Sequence, residues 1–403
     1  MKFRFAVLTV LCCCLVAVAG SCDKNKGGGL NLPPTVVCHQ AISGRAMKGE
    51  KVVVTISNIS SNTEVTVKFG KEKTLTRTGP GLLSYAFENS GSKTITVTME
   101  PAELEKQTFK VWVEKLEALQ SLAQRLKANP NLCLVMAHRG NSSDWTIPEN
   151  SEAAIMKCVE DKVDIVETDL YTTKDGILVV SHDADLGRET NGSGSIASKT
   201  LSQIKQLNLK DRNGNVTEYR MLTFDEYLNA CKEGGIYVNV DLGDRNASIP
   251  DVVTAIEKKG MTQQVLVYCN SLEKIKTAFQ TNPQCNVYSW VSHAKEIVDN
   301  GVAGNLYFTQ CEWKATKASA SRDGSTGSPT SASTVASAVN AGTLLTVNAI
   351  YTTNSGQLYP KDFKVAQVQN IFEVFPACQC IHVDTGAEAR AALLEYGKTL
   401  LQN

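Results

Sequence analysis

Eight short apolar runs recur along the C-terminal two thirds of the chain, and they constrain the fold more than any other feature. They fall at 133–137, 164–168, 236–240, 265–268, 286–290, 305–309, 344–348 and 380–383. Between them lie stretches with helical apolar spacing, such as 151–159, 251–258, 272–280 and 334–340. Strands buried on both faces read as continuous apolar runs, and parallel strands need a crossover, usually a helix, between neighbours. Eight such units over about 270 residues have the size and rhythm of a (β/α)8 barrel of the TIM type. An open doubly wound sheet competes with it. No G-x-G-x-x-G follows the first run, so dinucleotide binding has no support, and the barrel is the preferred reading.

The residues upstream have a different texture. Segments 51–57, 63–69 and 93–99 alternate at period two, with Gly, Asn and Ser turns between them, which predicts an all-β sandwich over 30–113. The phrase 84–98 resembles the end of an immunoglobulin-like or PKD-type domain. Nothing in it looks catalytic, so a spacer or binding module is expected, with a protein or glycan as its possible ligand. A helix over 115–128 places Leu116, Leu119, Leu122 and Leu126 on one face. It is expected to link the sandwich (30–113) to the barrel (131–403) through 114–130 and to cover the barrel's bottom.

The chain opens with Lys2 and Arg4, an apolar run over 5–19, and the small residues Ala19-Gly20-Ser21 before Cys22. That is the pattern of a secretory signal peptide, and the run is shorter than the ~20 residues of a permanent span. Small residues before a cysteine resemble the bacterial lipobox. Residues 1–21 would then be a lipoprotein signal peptide, Cys22 the lipidated residue, and 22–29 a flexible tether. The expected location is the bacterial cell envelope, with the membrane as a partner through the lipid. The 41 basic and 41 acidic residues cancel, which removes the electrostatic case for nucleic acid. Nine cysteines outside the leader are scattered from Cys38 to Cys380 without a C-x-x-C pair, so they read as buried thiols rather than a disulfide or zinc framework.

The chemistry concentrates between residues 136 and 185. His138-Arg139-Gly140 follows the first strand directly, Glu167 and Asp169 end the second, and His182 ends a short extra strand over 177–181. Active sites of such barrels are built at the carboxyl ends of the strands, so these side chains meet there. Period two puts Glu167 and Asp169 on one side of their strand, and Asp241 ends the third. Three oxygen ligands without sulfur suit one hard divalent cation, Ca²⁺ or Mg²⁺, which also relieves their mutual repulsion. Two histidines supply an acid and a base near neutral pH, and Arg139 supplies a fork matched to phosphate. The arrangement suits attack at phosphorus.

His138-Arg139-Gly140, Pro148-Glu149-Asn150-Ser151, Glu167-Thr168-Asp169, Lys174-Asp175-Gly176, His182-Asp183 and 186–194 together resemble the glycerophosphodiester phosphodiesterases, as do Thr346-Val347-Asn348 and Val383-Asp384-Thr385. The resemblance runs over about 132–400. It implies His138 and His182 as the acid–base pair, Arg139 as the phosphate ligand, and Glu167, Asp169 and Asp241 as metal ligands. It also implies hydrolysis of glycerophosphodiesters to glycerol 3-phosphate and an alcohol. Two departures stand out. The family's usual Glu-x-Lys at the third strand reads Asp241-Leu242-Gly243 here, with Arg245 as an open substitute for the lysine. The tryptophan that usually precedes Thr-Val-Asn is Leu345.

Plainer readings stand beside these. Glu149-Asn150-Ser151 reads at least as well as a helix cap as a ligand contact, 190–194 as a surface turn, and His382 as a packed core residue. Asp144-Trp145 reads more plainly as a loop anchor than as pocket lining, and Asp384 equally as a helix start or as a residue near the mouth. The Ser- and Gly-rich stretch 319–329 would be a loop on the catalytic face and a lid. The alternative function is a non-catalytic envelope lipoprotein that binds phosphodiesters in the barrel mouth.

Overall fold

The computed structural model describes residues 32–293, 305–312, 332–350 and 363–401. The eight apolar runs form parallel barrel strands, numbered β1 (Leu134–Ala137), β2 (Ile165–Thr172), β3 (Tyr237–Asp241), β4 (Val265–Tyr268), β5 (Asn286–Trp290), β6 (Asn305–Glu312), β7 (Leu344–Asn348) and β8 (Cys378–Val383). Each pairs with the next in chain order, and β8 pairs back onto β1, so the sheet closes. This excludes the open sheet. Closure also leaves no strand edge exposed within the barrel.

Helices Glu152–Glu160, Phe224–Gly234, Ile249–Lys259 and Leu272–Thr281 begin where the sequence supplies a hydroxyl cap. The side chains of Ser151, Thr223, Ser248 and Ser271 accept backbone N–H groups of the first turn, a contribution of about 1 kcal/mol each. These helices bury Ile155, Leu228, Val252 and Ile275 against the outward faces of the strands, in one core with Val166, Val238 and Val267. All nine cysteines from Cys38 to Cys380 are buried free thiols.

The barrel interior is a second core. Leu134, Ile165, Tyr237, Leu266 and Phe308 fill it from the strands, and Leu119, Leu122 and Leu126 close it from below. Those leucines belong to helix Leu119–Ala128, four residues shorter at its start than the apolar pattern predicts. Its first backbone N–H, at Leu119, is satisfied by Gln263 O at 2.9 Å. Each leucine is fully buried, which contributes about 2 kcal/mol apiece.

Upstream, Thr35–Cys38, Lys51–Ser57 and Gly81–Ala86 form a three-stranded sheet. Arg45–Ala46, Gln107–Val113, Gly91–Glu100, Glu64–Phe69 and Lys73–Thr78 form a five-stranded one. Alternate residues of both sheets, among them Val52, Val54, Val65, Val67, Ile95 and Val97, share one core. A short helix, His39–Ser43, interrupts a segment the sequence reads as strands alone.

One insertion matters for the site. Strand Leu178–Val180 pairs antiparallel with the end of β2, and a small hairpin, Asn208–Lys210 with Val216–Arg220, follows it. Val179, Leu186, Ile196, Ile204, Leu209 and Met221 give this insertion its own core beside the barrel mouth.

Candidate active site

Register builds the site from the strand ends. Glu167 lies opposite Asn239, and Asp169 opposite Asp241, across the β2–β3 pair. Oxygens of Glu167, Asp169 and Asp241 lie within 4.8 Å of one another, a spacing that can hold a metal ion. They line a cavity of about 690 Å³ at the carboxyl end of the barrel, together with His138, Arg139 and His182. All six residues singled out in the sequence are therefore brought into one cavity. Cys22 lies outside the described residues, as does the 319–329 stretch expected to be a lid.

The turn after β1 explains why arginine and glycine follow His138. Arg139 has a positive φ of 54°, in the left-handed region that costs a non-glycine residue about 1 kcal/mol. Two backbone bonds hold it there. Its N–H donates to Glu167 Oε2 at 2.9 Å, and its carbonyl accepts from Asn150 N at 2.8 Å. Gly140 is also left-handed at φ 71°, and a Cβ there would meet Ala154 Cβ at 3.2 Å. The turn thus aims the Arg139 side chain into the cavity, where Glu149 pairs with it at 3.1 Å.

Each histidine is anchored by a carboxylate. His138 Nδ1 lies 2.9 Å from Asp384 Oδ1, and Arg139 Nε donates to His138 Nε2 at 3.2 Å. That places the ring proton on Nδ1 and the lone pair on Nε2. His182 Nδ1 lies 2.5 Å from Asp183 Oδ1, and the two rings face each other edge-on with centroids 6.5 Å apart. Burial, then the Arg139 charge, lowers both histidines below their ordinary value, His182 to about 4. Both rings are neutral at pH 7 in the free protein.

The carboxylates divide by surroundings. Arg188 pairs with Glu149 at 2.8 Å, with Glu189 at 2.9 Å and with Asp183 at 2.5 Å. Burial pushes Glu149 up, but Arg139 and Arg188 overcome it and hold the group below its usual value. Burial opposes Asp183 too, yet hydrogen bonds from Arg188 and His182 keep it at about 2. Glu189 is raised to about 8 by burial and the neighbouring Glu149 charge; it accepts N–H bonds from His182 and Asp183. Burial and the Asp169 and Asp241 charges push Glu167 well up, and burial lifts Asp169 to about 7 despite Arg245 beside it. A group of acids held this far from its ordinary range lacks positive charge. Asp169 Oδ2 and Asn239 Oδ1 are buried there without a hydrogen-bond partner. Orphaned acceptors beside crowded carboxylates fit a hard cation.

The cavity takes in several residues for which the sequence leaves a structural and a site role both open. Glu149 is a cavity residue, while Ser151 makes the helix cap and Asn150 accepts from Thr168 at 2.9 Å. Asp384 holds His138 rather than merely starting a helix. Trp145 lines the cavity and stacks under the Arg212 guanidinium at 3.4 Å, and Arg212 reaches the Asp384 carbonyl at 3.3 Å. His382 is buried, as expected of a core residue, but lies 4.0 Å from Glu167 inside the site. The turn lies at 186–189, closed by Thr190 N donating to Leu186 O at 2.9 Å, and 190–194 follows it as a bridge and bends.

Residues 138–297 match the model of the glycerophosphoryl diester phosphodiesterase family. A glycerophosphodiester phosphodiesterase of Caldanaerobacter subterraneus is 32% identical over 139 residues, 33% of this chain and 56% of that protein. Mouse glycerophosphodiester phosphodiesterase 1 is 30% identical over 163 residues, covering 40% of this chain and 46% of its own length. The chain thus spans about half the length of these relatives. Among solved structures, a glycerophosphoryl diester phosphodiesterase from Parabacteroides distasonis superimposes with a TM-score of 0.57 at 20% identity, over 70% of this chain and 93% of that one. A phosphodiesterase from Oleispira antarctica, solved with sn-glycerol-3-phosphate, gives 0.50 at 17% identity, over 65% and 97%. At these identities the likeness establishes the shared barrel fold.

Proposed function

We propose that this chain hydrolyses glycerophosphodiesters to glycerol 3-phosphate and an alcohol, assisted by one divalent cation, Ca²⁺ or Mg²⁺. The observation that carries the reading is the pair of carboxylate-anchored histidines facing each other across a cavity that also holds Arg139 and three clustered acids. The match of residues 138–297 and the names of the relatives support it.

Arg139 presents a guanidinium fork to the phosphate, and its pairing with Glu149 holds that fork in place. One histidine takes the proton of the glycerol hydroxyl next to the ester as its oxygen attacks phosphorus. The other gives a proton to the departing alcohol oxygen, leaving a five-membered cyclic phosphate. Water then opens the ring with the two roles exchanged, which restores both protonation states. Each Nδ1–carboxylate bond orients its ring and leaves Nε2 for the proton transfers, and at His138 the Arg139 Nε bond to Nε2 gives way when Arg139 turns to the phosphate. Arg139 depresses both histidines in the free protein; a bound phosphodiester anion offsets that charge and favours the protonated partner the reaction needs. Glu167, Asp169 and Asp241 would hold the cation, which supplies charge stabilisation at the non-bridging phosphate oxygens.

The signal-like leader supports a further part of the reading, attachment to the envelope membrane through lipidated Cys22. No described helix is long and apolar enough to cross a membrane.

The test is glycerol 3-phosphate release from glycerophosphocholine and glycerophosphoethanolamine with Ca²⁺, with Mg²⁺ and with EDTA. Turnover should need the cation and disappear in His138→Ala and His182→Ala. Binding of the diesters without turnover under any cation would replace hydrolysis with the binding role.

A further inference from the structure

The third strand departs from the resembled pattern in two places, and they are one structural feature. Arg245 reaches back into the acid cluster, where its guanidinium contacts Asp169 Oδ1 at 2.5 Å and Asp241 Oδ1 at 3.1 Å. Its side chain is only 14% exposed, so this is a buried seat rather than a surface pairing. A Cβ at Gly243 would meet Arg245 Nη1 at 2.9 Å and Asp241 Oδ1 at 3.1 Å. Any side chain at 243, a lysine included, would press on the guanidinium. Gly243 therefore makes the space that Arg245 fills, and its own N–H donates to Asp241 at 2.7 Å.

The seat is an incomplete one for arginine. Arg245 Nε is buried without a hydrogen-bond partner, and so is Asp169 Oδ2 beside it. A planar fork satisfies one oxygen of each aspartate and leaves the rest of the cluster uncompensated, whereas a small cation can be approached by several oxygens at once. The guanidinium holds one oxygen of Asp169 and one of Asp241 and puts a positive charge inside the cluster, so it and a divalent cation compete for the same two carboxylates.

We propose that Arg245 is a tethered counter-ion: it occupies the acid cluster in the cation-free protein, must leave it when a divalent cation binds, and so weakens cation affinity. Gly243 is the residue that makes this possible. The inference rests on Glu167, Asp169 and Asp241 being the cation site of the proposed reaction. It is tested by cation binding without substrate, which separates it from the question of hydrolysis.

The experiment is calorimetric titration of the EDTA-stripped full-length protein with Ca²⁺ and with Mg²⁺. Arg245→Ala and Arg245→Gln should bind at least about tenfold more tightly than the wild type, because a competing charge a few ångströms away has gone. Arg245→Lys, which keeps the charge, should stay nearer the wild type. Free guanidinium at a non-denaturing concentration should weaken cation binding by Arg245→Ala and leave the wild type little changed, a response a merely structural arginine would not produce. Thermal melts of each variant establish that it is folded. Unchanged or weaker affinity in folded Arg245→Ala and Arg245→Gln overturns the counter-ion role while leaving hydrolysis standing. Absence of cation binding in wild type and both variants overturns it together with the cation site. Tighter binding without turnover of any diester leaves it in place and removes the hydrolase reading instead.

Discussion

Two arcs of the barrel mouth sit at one level and have opposite characters. Asp169, Asp241, Tyr268 and Tyr288 are consecutive partners across β2, β3, β4 and β5, yet the first two belong to an ionic arc and the last two to an aromatic one. On the ionic arc, carried by the ends of β1, β2, β3 and β8, burial and neighbouring charges raise Glu167 and Asp169 and lower His138 and His182. Orphaned acceptors remain there. On the aromatic arc, Tyr268 packs near-perpendicular to Trp290 with centroids 6.4 Å apart, and buried Tyr288 donates to Gln310 Oε1 at 2.8 Å. The Tyr288 hydroxyl has a partner, and the rings are buried while still forming part of the cavity wall. The ionic arc is strained for chemistry and the aromatic arc is built for stability, a division expected when a site is mounted on a rigid scaffold.

The contrast can be broken at its strongest point first. His138→Ala and His182→Ala should each lower kcat by about a thousandfold or more, the range for a lost acid or base, with the melting temperature nearly unchanged. Tyr288→Ala should do the opposite, costing about 3–5 kcal/mol of stability in a denaturant titration because a fully buried ring is lost. If the histidine variants unfold, or Tyr288→Ala melts like the wild type, the division of labour is wrong.

Smaller effects sharpen it. Asp384→Asn weakens the Nδ1 bond of His138 and removes one negative charge from the cavity wall, where Asp384 also pairs with Arg212 at 3.6 Å. It should lower kcat about tenfold to a hundredfold with KM little changed, as expected of a residue that positions another. The pH profile of kcat/KM offers a second check. His182 stays neutral down to about 4, so the acid limb should lie well below pH 6.5; a limb near 6.5 would contradict the burial and Arg139 effects assigned to the histidines. The smallest effect is on stability. Glu167 is pushed up by burial and its acidic neighbours, so the native state binds its proton more tightly than the unfolded chain does. Its contribution is fully present below the ordinary glutamate value and is lost as pH rises above it. In EDTA, Glu167→Gln should therefore melt higher than the wild type at pH 8 and converge with it near pH 4.

Much of this was legible in the residues themselves. The eight runs gave eight strands because a strand buried on both faces must be apolar throughout, and that signal is local. Glu167 and Asp169 share a face because the pleat has period two. Glu149 stayed open between two roles because Pro-Glu-Asn-Ser satisfies a helix cap equally well, and the cap is real at Ser151. The aromatic arc was hidden because an inward aromatic on a strand reads as core, which Tyr288 is.

By itself, then, the sequence determined eight parallel strands with crossover helices, the helix at their base, and the strand ends on which His138, Glu167, Asp169, His182 and Asp241 stand, while closure waited on the pairing of β8 with β1. Those follow from periodicity and chain order, which act between near neighbours. Only the tertiary structure decided which charges meet. Asp384 joins His138 across 246 residues because β8 closes on β1. Arg212 reaches Asp384 because the hairpin folds over the mouth. Arg245 falls onto Asp169 because Gly243 leaves it room. Electrostatic partnership depends on distance through space, and in a closed barrel the residues nearest in space include those farthest apart in the chain.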